Sequence, residues 1–282
     1  MEVKAKQVSS EFLNMSKEED YPVHSCFEHG FNLAAEGRLC FIGNKHDELL
    51  PYGILLKKED VKKIRDVVSQ GETSFCMDQE RQRLVSSGLV IDFSGAQVFS
   101  SRYQKDHRMR PQMSLDRIFG FIKDEKTGFG DTIGQIVSGK CGNIEVIRNC
   151  FRSRDKEVIC HILKKWVGYG PGLTPSGDDF LLGILFADEM FSFLGDSFKA
   201  ELVKLADSRY TTDVSVNQYF CALQHLFSKS FLEFANAWKE RQVNQMAESL
   251  KRILLFGHTS GRDIAAGLWT GIQYAEDKWR QL

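Results

Sequence analysis

Two stretches bring together most of the residues able to do chemistry: GPGLTPSGDDFLLG at 170–183 and GHTSGRDIAAG at 257–267. Both carry Ser-Gly-x-Asp, then an apolar residue, then a further glycine at the start of an apolar run. In each, a serine before a helix can cap the free amides of the first turn, and an aspartate three residues on can reach back. That is the capping box, Ser176 with Asp179 and Ser260 with Asp263, a purely architectural reading. A second reading is chemical. Glycine is a poor helix former, yet Gly177 and Gly261 follow the serines; a missing side chain would let another group approach the first-turn amides.

Two such helix starts facing one cavity could bind an anionic oxygen through amides and aligned dipoles. Asp178, Asp179 and Asp263 put negative charge at the same place, which leaves three chemistries open. A Mg²⁺ could bridge carboxylate and phosphate; Arg262, in the slot that Asp178 fills in the first copy, could compensate or pair with Asp178; or the ligand could bring amide N–H donors. A carbamoyl or ureido group offers such donors beside a carbonyl. For Ser176 as a nucleophile the sequence supplies no neighbouring base. His258 lies inside the second copy, at the position matching Thr174, and is the one histidine of seven placed to touch a ligand.

The elements that must hold these turns fall into two halves. Up to about residue 105 the segments are short and strand-like: HSCFEHGFNLA, GRLCFIG, PYGILL, RLVSSGLVIDF and AQVFSS, divided by Gly, Asn, Asp and Pro. Glu36-Gly37 and Asn44-Lys45 read as hairpin turns, and 59–71 reads as a helix ended by Gly71. QKDHRMRPQMS, at 104–114, reads as a linker. Beyond it the period turns helical, with helices expected in SLDRIFGFI, NIEVIRNCF, DKEVICHILKKWV, DDFLLGILFADEMFSFL, VNQYFCALQHLF, FLEFANAWKE, QVNQMAESLKRILLF and DIAAGLWTGIQYAEDKW. The segment 180–194 is apolar nearly all round and must lie inside a bundle. The expected fold is α+β: a β-rich, mostly antiparallel, barrel-like domain at 1–108 with one helix, then an α-helical bundle domain at 112–282 carrying both motifs. Gly183 and Gly267, with Gly271 one turn on, suit a close crossing of the two motif helices.

Composition narrows the classes. The 282 residues are 42% hydrophobic and 27% charged, with a formal net charge of -1. That balance gives no basic groove for nucleic acid. The longest apolar run, FLLGILFA, is far short of a bilayer span. The first twenty residues lack a secretory apolar stretch, and the 7 cysteines contain no CxxC pair. The expectation is a cytoplasmic protein with reduced thiols, no membrane association and no nucleic-acid partner.

The string GYGPGLTPSGDDFLLG, followed by GHTSGRDIAAG, resembles the AllH-type family, subunits of an oxamate carbamoyltransferase of anaerobic allantoin and purine degradation. FEHGFNLAAEGRLCFIG and Thr211-Thr212 with Ser215 agree with it more weakly. The resemblance implies a role beside other carbamoyltransferase subunits, including an acyl-CoA-ligase-like one, and carbamoyl exchange between an oxalurate-like ureide and phosphate. Carried over onto this sequence, it marks Gly172, Thr174, Ser176, Gly177, Asp178, Asp179, Ser260, Gly261 and Asp263. Taken together, the candidates are Asp178, Asp179 and Asp263 for catalysis. Gly172, Thr174, Ser176, Gly177, His258, Ser260, Gly261 and Arg262 are the candidates for binding a small carbamoyl or carboxylate ligand. Two other functions remain open: a non-catalytic assembly or regulatory subunit, and a stand-alone Mg²⁺-dependent hydrolase or phosphotransferase.

Overall fold

The structure is a computed structural model that describes residues 1–15, 20–69, 71, 74–140 and 144–281. Cys141, and the Asn143 that opens one expected helix, lie outside the described residues. The chain divides into two compact units, residues 1–102 with 226–229 and residues 103–225 with 230–282.

The first unit is a curled ten-stranded sheet. Its strands are β1 (Glu2–Lys4), β2 (Gln7–Ser9), β3 (Tyr21–Phe27), β4 (Gly30–Ala35), β5 (Arg38–Gly43), β6 (Ile54–Leu55), β7 (Ser74–Asp78), β8 (Arg83–Val85), β9 (Val90–Asp92) and β10 (Gln97–Phe99). Their order is β1-β9-β8-β7-β3-β4-β5-β6-β2-β10. Most neighbours are antiparallel, while β1 with β9, β10 with β2 and β5 with β6 run parallel. Glu36 and Gly37 both take positive φ, which lets β4 turn directly into β5. Asn44-Lys45 does not make a hairpin: β6 returns parallel to β5, and the tight turn lies at His46-Asp47, closed by a Lys45–Glu48 bridge. A short helix α1 (Ser10–Leu13) and the amphipathic α2 (Lys58–Ser69) accompany the sheet. Its core gathers Phe12, Tyr21, Phe31, Leu33, Ile42, Phe75 and Ile91, with Phe31 stacked on Phe75 at 5.5 Å.

The second unit is helical: α3 (Leu115–Phe119), continued by a 3₁₀ turn at Gly120–Ile122, α4 (Ile133–Val137), α5 (Ile144–Cys150), α6 (Lys156–Leu163), α7 (Ser176–Phe191), α8 (Asp196–Leu205), α9 (Asp213–Leu223), α10 (Lys229–Lys239), α11 (Val243–Leu254) and α12 (Ser260–Trp279). The chain is therefore α+β. Every residue of α7 from Ser176 to Met190 is buried, as a helix apolar on all sides requires. Helices α4 and α8 add to the pattern read from periodicity; α4 is a single capped turn, too short to show a period. No helix among the described residues is long and apolar enough to cross a membrane.

Candidate functional site

Residues four apart share one face of an α-helix. Asp179 and Gly183 therefore lie on one face of α7, and Asp263 and Gly267 on one face of α12. The glycines are where the backbones touch. A Cβ at Gly183 would overlap the Ile264 carbonyl, one at Gly267 the Phe180 carbonyl, and one at Gly271 the Ala187 methyl group. Two helices seamed this closely at their glycines bring the aspartates one turn earlier against each other. The sequence-derived crossing of the motif helices, with their amino ends together, is thus present in the structure.

The capping reading fails at both copies. Each serine is the first helical residue rather than the cap, because the residue before it holds the cap position: Pro175 with an extended backbone, and Thr259. Neither helix start has a side-chain cap. The serines are free to face across the crossing instead. Ser176 lies against Asp263 of the other helix, and Ser260 against Asp179. The amides of Gly177 and Gly261 are not open either: they donate to the carbonyls of Tyr169 (2.9 Å) and Phe256 (2.8 Å). A Cβ at Gly177 would strike the Trp166 carbonyl and one at Gly261 the Ile253 carbonyl. Both glycines make room for the end of the preceding helix, so the expected oxyanion contact to these two amides is not available.

What remains is a buried pair of carboxyl groups. Asp179 and Asp263 are wholly buried. Neither oxygen of Asp179 has a well-formed hydrogen bond, nor does Oδ2 of Asp263; Oδ1 of Asp263 accepts from the Gly128 amide at 2.9 Å. The hydroxyls of Thr174 and Ser260 lie beside Asp179 but hydrogen-bond each other at 2.7 Å. Ser176 and Thr259 stand beside Asp263. Burial pushes the Asp179 carboxyl well above the usual carboxylate range, and the nearby Asp263 charge adds to it. Burial likewise pushes Asp263 up to about 6, opposed by the Gly128 amide and by Ser176. Such a pair, ringed by hydroxyls, can exchange protons, accept N–H donors or bind a hard cation through oxygen.

Asp178 has a different place. Its carboxylate accepts from the Gly168 amide (3.1 Å), the Tyr219 hydroxyl (2.6 Å) and the Thr211 hydroxyl. It ties the start of α7 to the preceding loop and to α9, and its oxygens are not presented to a Mg²⁺ shared with Asp179. Arg262 does not pair with Asp178; it reaches Glu125 at 2.8 Å and the His258 carbonyl. The His258 side chain and Gly172 are exposed, while Thr174 is half-buried.

Three contributors escaped sequence reasoning. Gly128, in GFGD, reads as a plain turn, yet a Cβ there would overlap the Ser176 hydroxyl and crowd Asp263. Tyr219 sits mid-helix in VNQYFCAL, where its spacing marks no polar partner, and Thr259 is hidden in the role of a helix cap. Thr211 had a signal, in Thr211-Thr212 ahead of a helix. A cavity of about 700 Å³ opens further along α12, lined in part by Lys123, Gln135, Trp269, Gln273 and Arg280. It shares no residue with the aspartate pair.

No solved structure matches the chain. One family model, described as oxamate carbamoyltransferase subunit AllH, matches residues 166–272, a span that holds both motifs, all of α7 and the first part of α12. A second, described as the AllH family N-terminal domain, matches residues 4–98, which form most of the curled sheet. With most of its length covered by these two matches, in this order, the chain belongs to the AllH family.

Proposed function

We propose that this protein is a subunit of a carbamoyltransferase that binds a small carbamoyl or carboxylate compound at the crossing of α7 and α12, and works beside other subunits. Asp179 and Asp263 are the residues assigned to the reacting group. Thr174, Ser176, Thr259 and Ser260 orient them, and the Gly128 amide fixes one carboxylate oxygen. Asp178 positions the start of α7 without touching ligand. The reaction is carbamoyl exchange between an oxamate- or oxalurate-like compound and phosphate, and an acyl-CoA-ligase-like subunit is one expected partner.

One observation carries the reading: two fully buried carboxyl groups, from two different helices, leave three oxygens without good hydrogen bonds. A buried charged or polar group with no partner costs several kcal/mol in a structure with no use for it. A site that meets a ligand supplies the use.

The test is turnover of oxalurate with phosphate, and of carbamoyl phosphate with oxamate, by the complex that co-purifies with the full chain. The double variant Asp179→Asn/Asp263→Asn is expected to lose at least a hundredfold in turnover while the complex still assembles. Undiminished turnover would remove the assignment and leave the chain an assembly subunit. Turnover by the isolated chain, dependent on Mg²⁺, would favour a stand-alone hydrolase or phosphotransferase instead.

A further inference from the structure

Apart from the aspartate pair, the helical unit holds a cavity of about 700 Å³, within the range, roughly 300 to 1,000 Å³, of small-molecule pockets. Helix α12 supplies one wall. Trp269, Gln273, Glu276 and Arg280 follow one another at spacings of four, three and four residues, which sets them along one face of that helix and its C-cap. Asp263, Gly267 and Gly271, each four residues apart, occupy a different face, the one seamed to α7. Val137 of α4 and Leu115 of α3 also line the cavity, so apolar surface reaches it from three helices. The Trp269 ring is held by stacking on Phe119, with 5.1 Å between centroids. One polar atom of this wall is unmet: Oε1 of Gln273 is buried and accepts no hydrogen bond among the described residues.

The charges around the cavity cancel in pairs. Lys123 meets Asp116 at 2.8 Å, Arg280 meets Glu276 at 2.6 Å, and Asp277 is drawn to Arg148 at 3.1 Å. Lys140 and Asp124, of opposite sign, complete the set. No net field is left to select an ion of either sign. We propose that this cavity is a second ligand site, for an uncharged, flat heterocycle that carries a ring N–H. The ring packs against Trp269, and its N–H donates to Gln273 Oε1. An aromatic wall favours a flat ring set against it. A buried acceptor with no partner favours the ligand that brings a donor over one of the same shape without it. The site goes beyond the functional reading above, and its failure would leave that reading untouched.

Titration of the full chain at neutral pH with benzimidazole, 1-methylbenzimidazole and benzoate, followed by NMR, tests this. The methyl group replaces the N–H, and benzoate keeps a flat ring but carries a charge. Benzimidazole is expected to bind about tenfold more tightly than either, the worth of one hydrogen bond. In Gln273→Met, which keeps the length of the side chain without its acceptor, the preference for benzimidazole over its methyl derivative should vanish. Ser138→Trp, at the exposed rim, should block benzimidazole, while Asp179→Asn/Asp263→Asn should bind it as the wild type does. Equal binding of benzimidazole and its methyl derivative by the wild type, a preference that persists in Gln273→Met, tighter binding of benzoate, or binding unchanged by Ser138→Trp overturns the proposal. So does loss of binding in the aspartate variant, which would put the ring at the α7–α12 crossing. No binding of any probe overturns it too, leaving the cavity to water alone.

Discussion

The two Ser-Gly-x-Asp turns share a skeleton but divide its positions between common and private duties. In both, the serine faces the opposite helix, the first glycine makes room for the preceding helix end, the aspartate enters the buried pair and the last glycine seams the crossing. The slot between first glycine and aspartate differs. In the first copy it is Asp178, buried and bonded to Gly168, Thr211 and Tyr219. In the second it is Arg262, half-exposed and paired with Glu125. The duplicated positions therefore serve the crossing, and the unlike one fastens each helix start to whatever segment lies beside it. A repeated motif is best read position by position: what repeats belongs to the shared centre, and what varies belongs to the neighbourhood.

That division can be broken most forcefully at Asp178. Asp178→Ala strands the Tyr219 hydroxyl, the Thr211 hydroxyl and the Gly168 amide, and should cost about 3 kcal/mol in urea unfolding. A cost near zero would mean the slot does not anchor α9.

The next effect is on pH. Burial raises the folded-state value of Asp263 from 3.8 to about 6, so the folded protein holds that proton more tightly than the unfolded chain does. Its contribution to stability is fully present below about pH 4 and is lost as pH rises through about 6, on the order of 3 kcal/mol. Asp179, raised in the same direction, adds to the decline. Unfolding midpoints measured from pH 4 to 8 should fall across this window in the wild type and fall less in Asp263→Asn. A wild-type curve that rises instead would show the carboxylates to be stabilised in their charged form.

The smallest effect belongs to the other half of the unlike slot. Arg262→Gln removes an ion pair whose side chains are 31% and 43% exposed, and should cost about 0.5 kcal/mol or less. A loss comparable to that of Asp178→Ala would erase the distinction between the two copies.

Much of the helical unit was legible because burial imposes a period. The apolar run of α7 forces it inside a bundle, and glycines at 183 and 267 announce a close crossing. Gly128 was not legible: its contact with Asp263 spans 135 positions, and a glycine in a turn looks the same whether or not a carboxylate lies above it. The capping box failed for a local reason. Ser-x-x-Asp fits a cap in sequence, but Pro175 and Thr259 occupy the cap position and move each serine one residue into its helix.

By itself the sequence determined which residues are paired in kind: two serines, two aspartates and two glycines at matching spacing, each on one helical face. Only the tertiary structure decided that the two faces meet, that each serine answers the other helix's aspartate, and that Asp178 turns away while Asp179 stays buried with no well-formed hydrogen bond. The reason is that helical periodicity fixes directions around one axis, whereas the distance between two axes depends on how every neighbouring side chain packs.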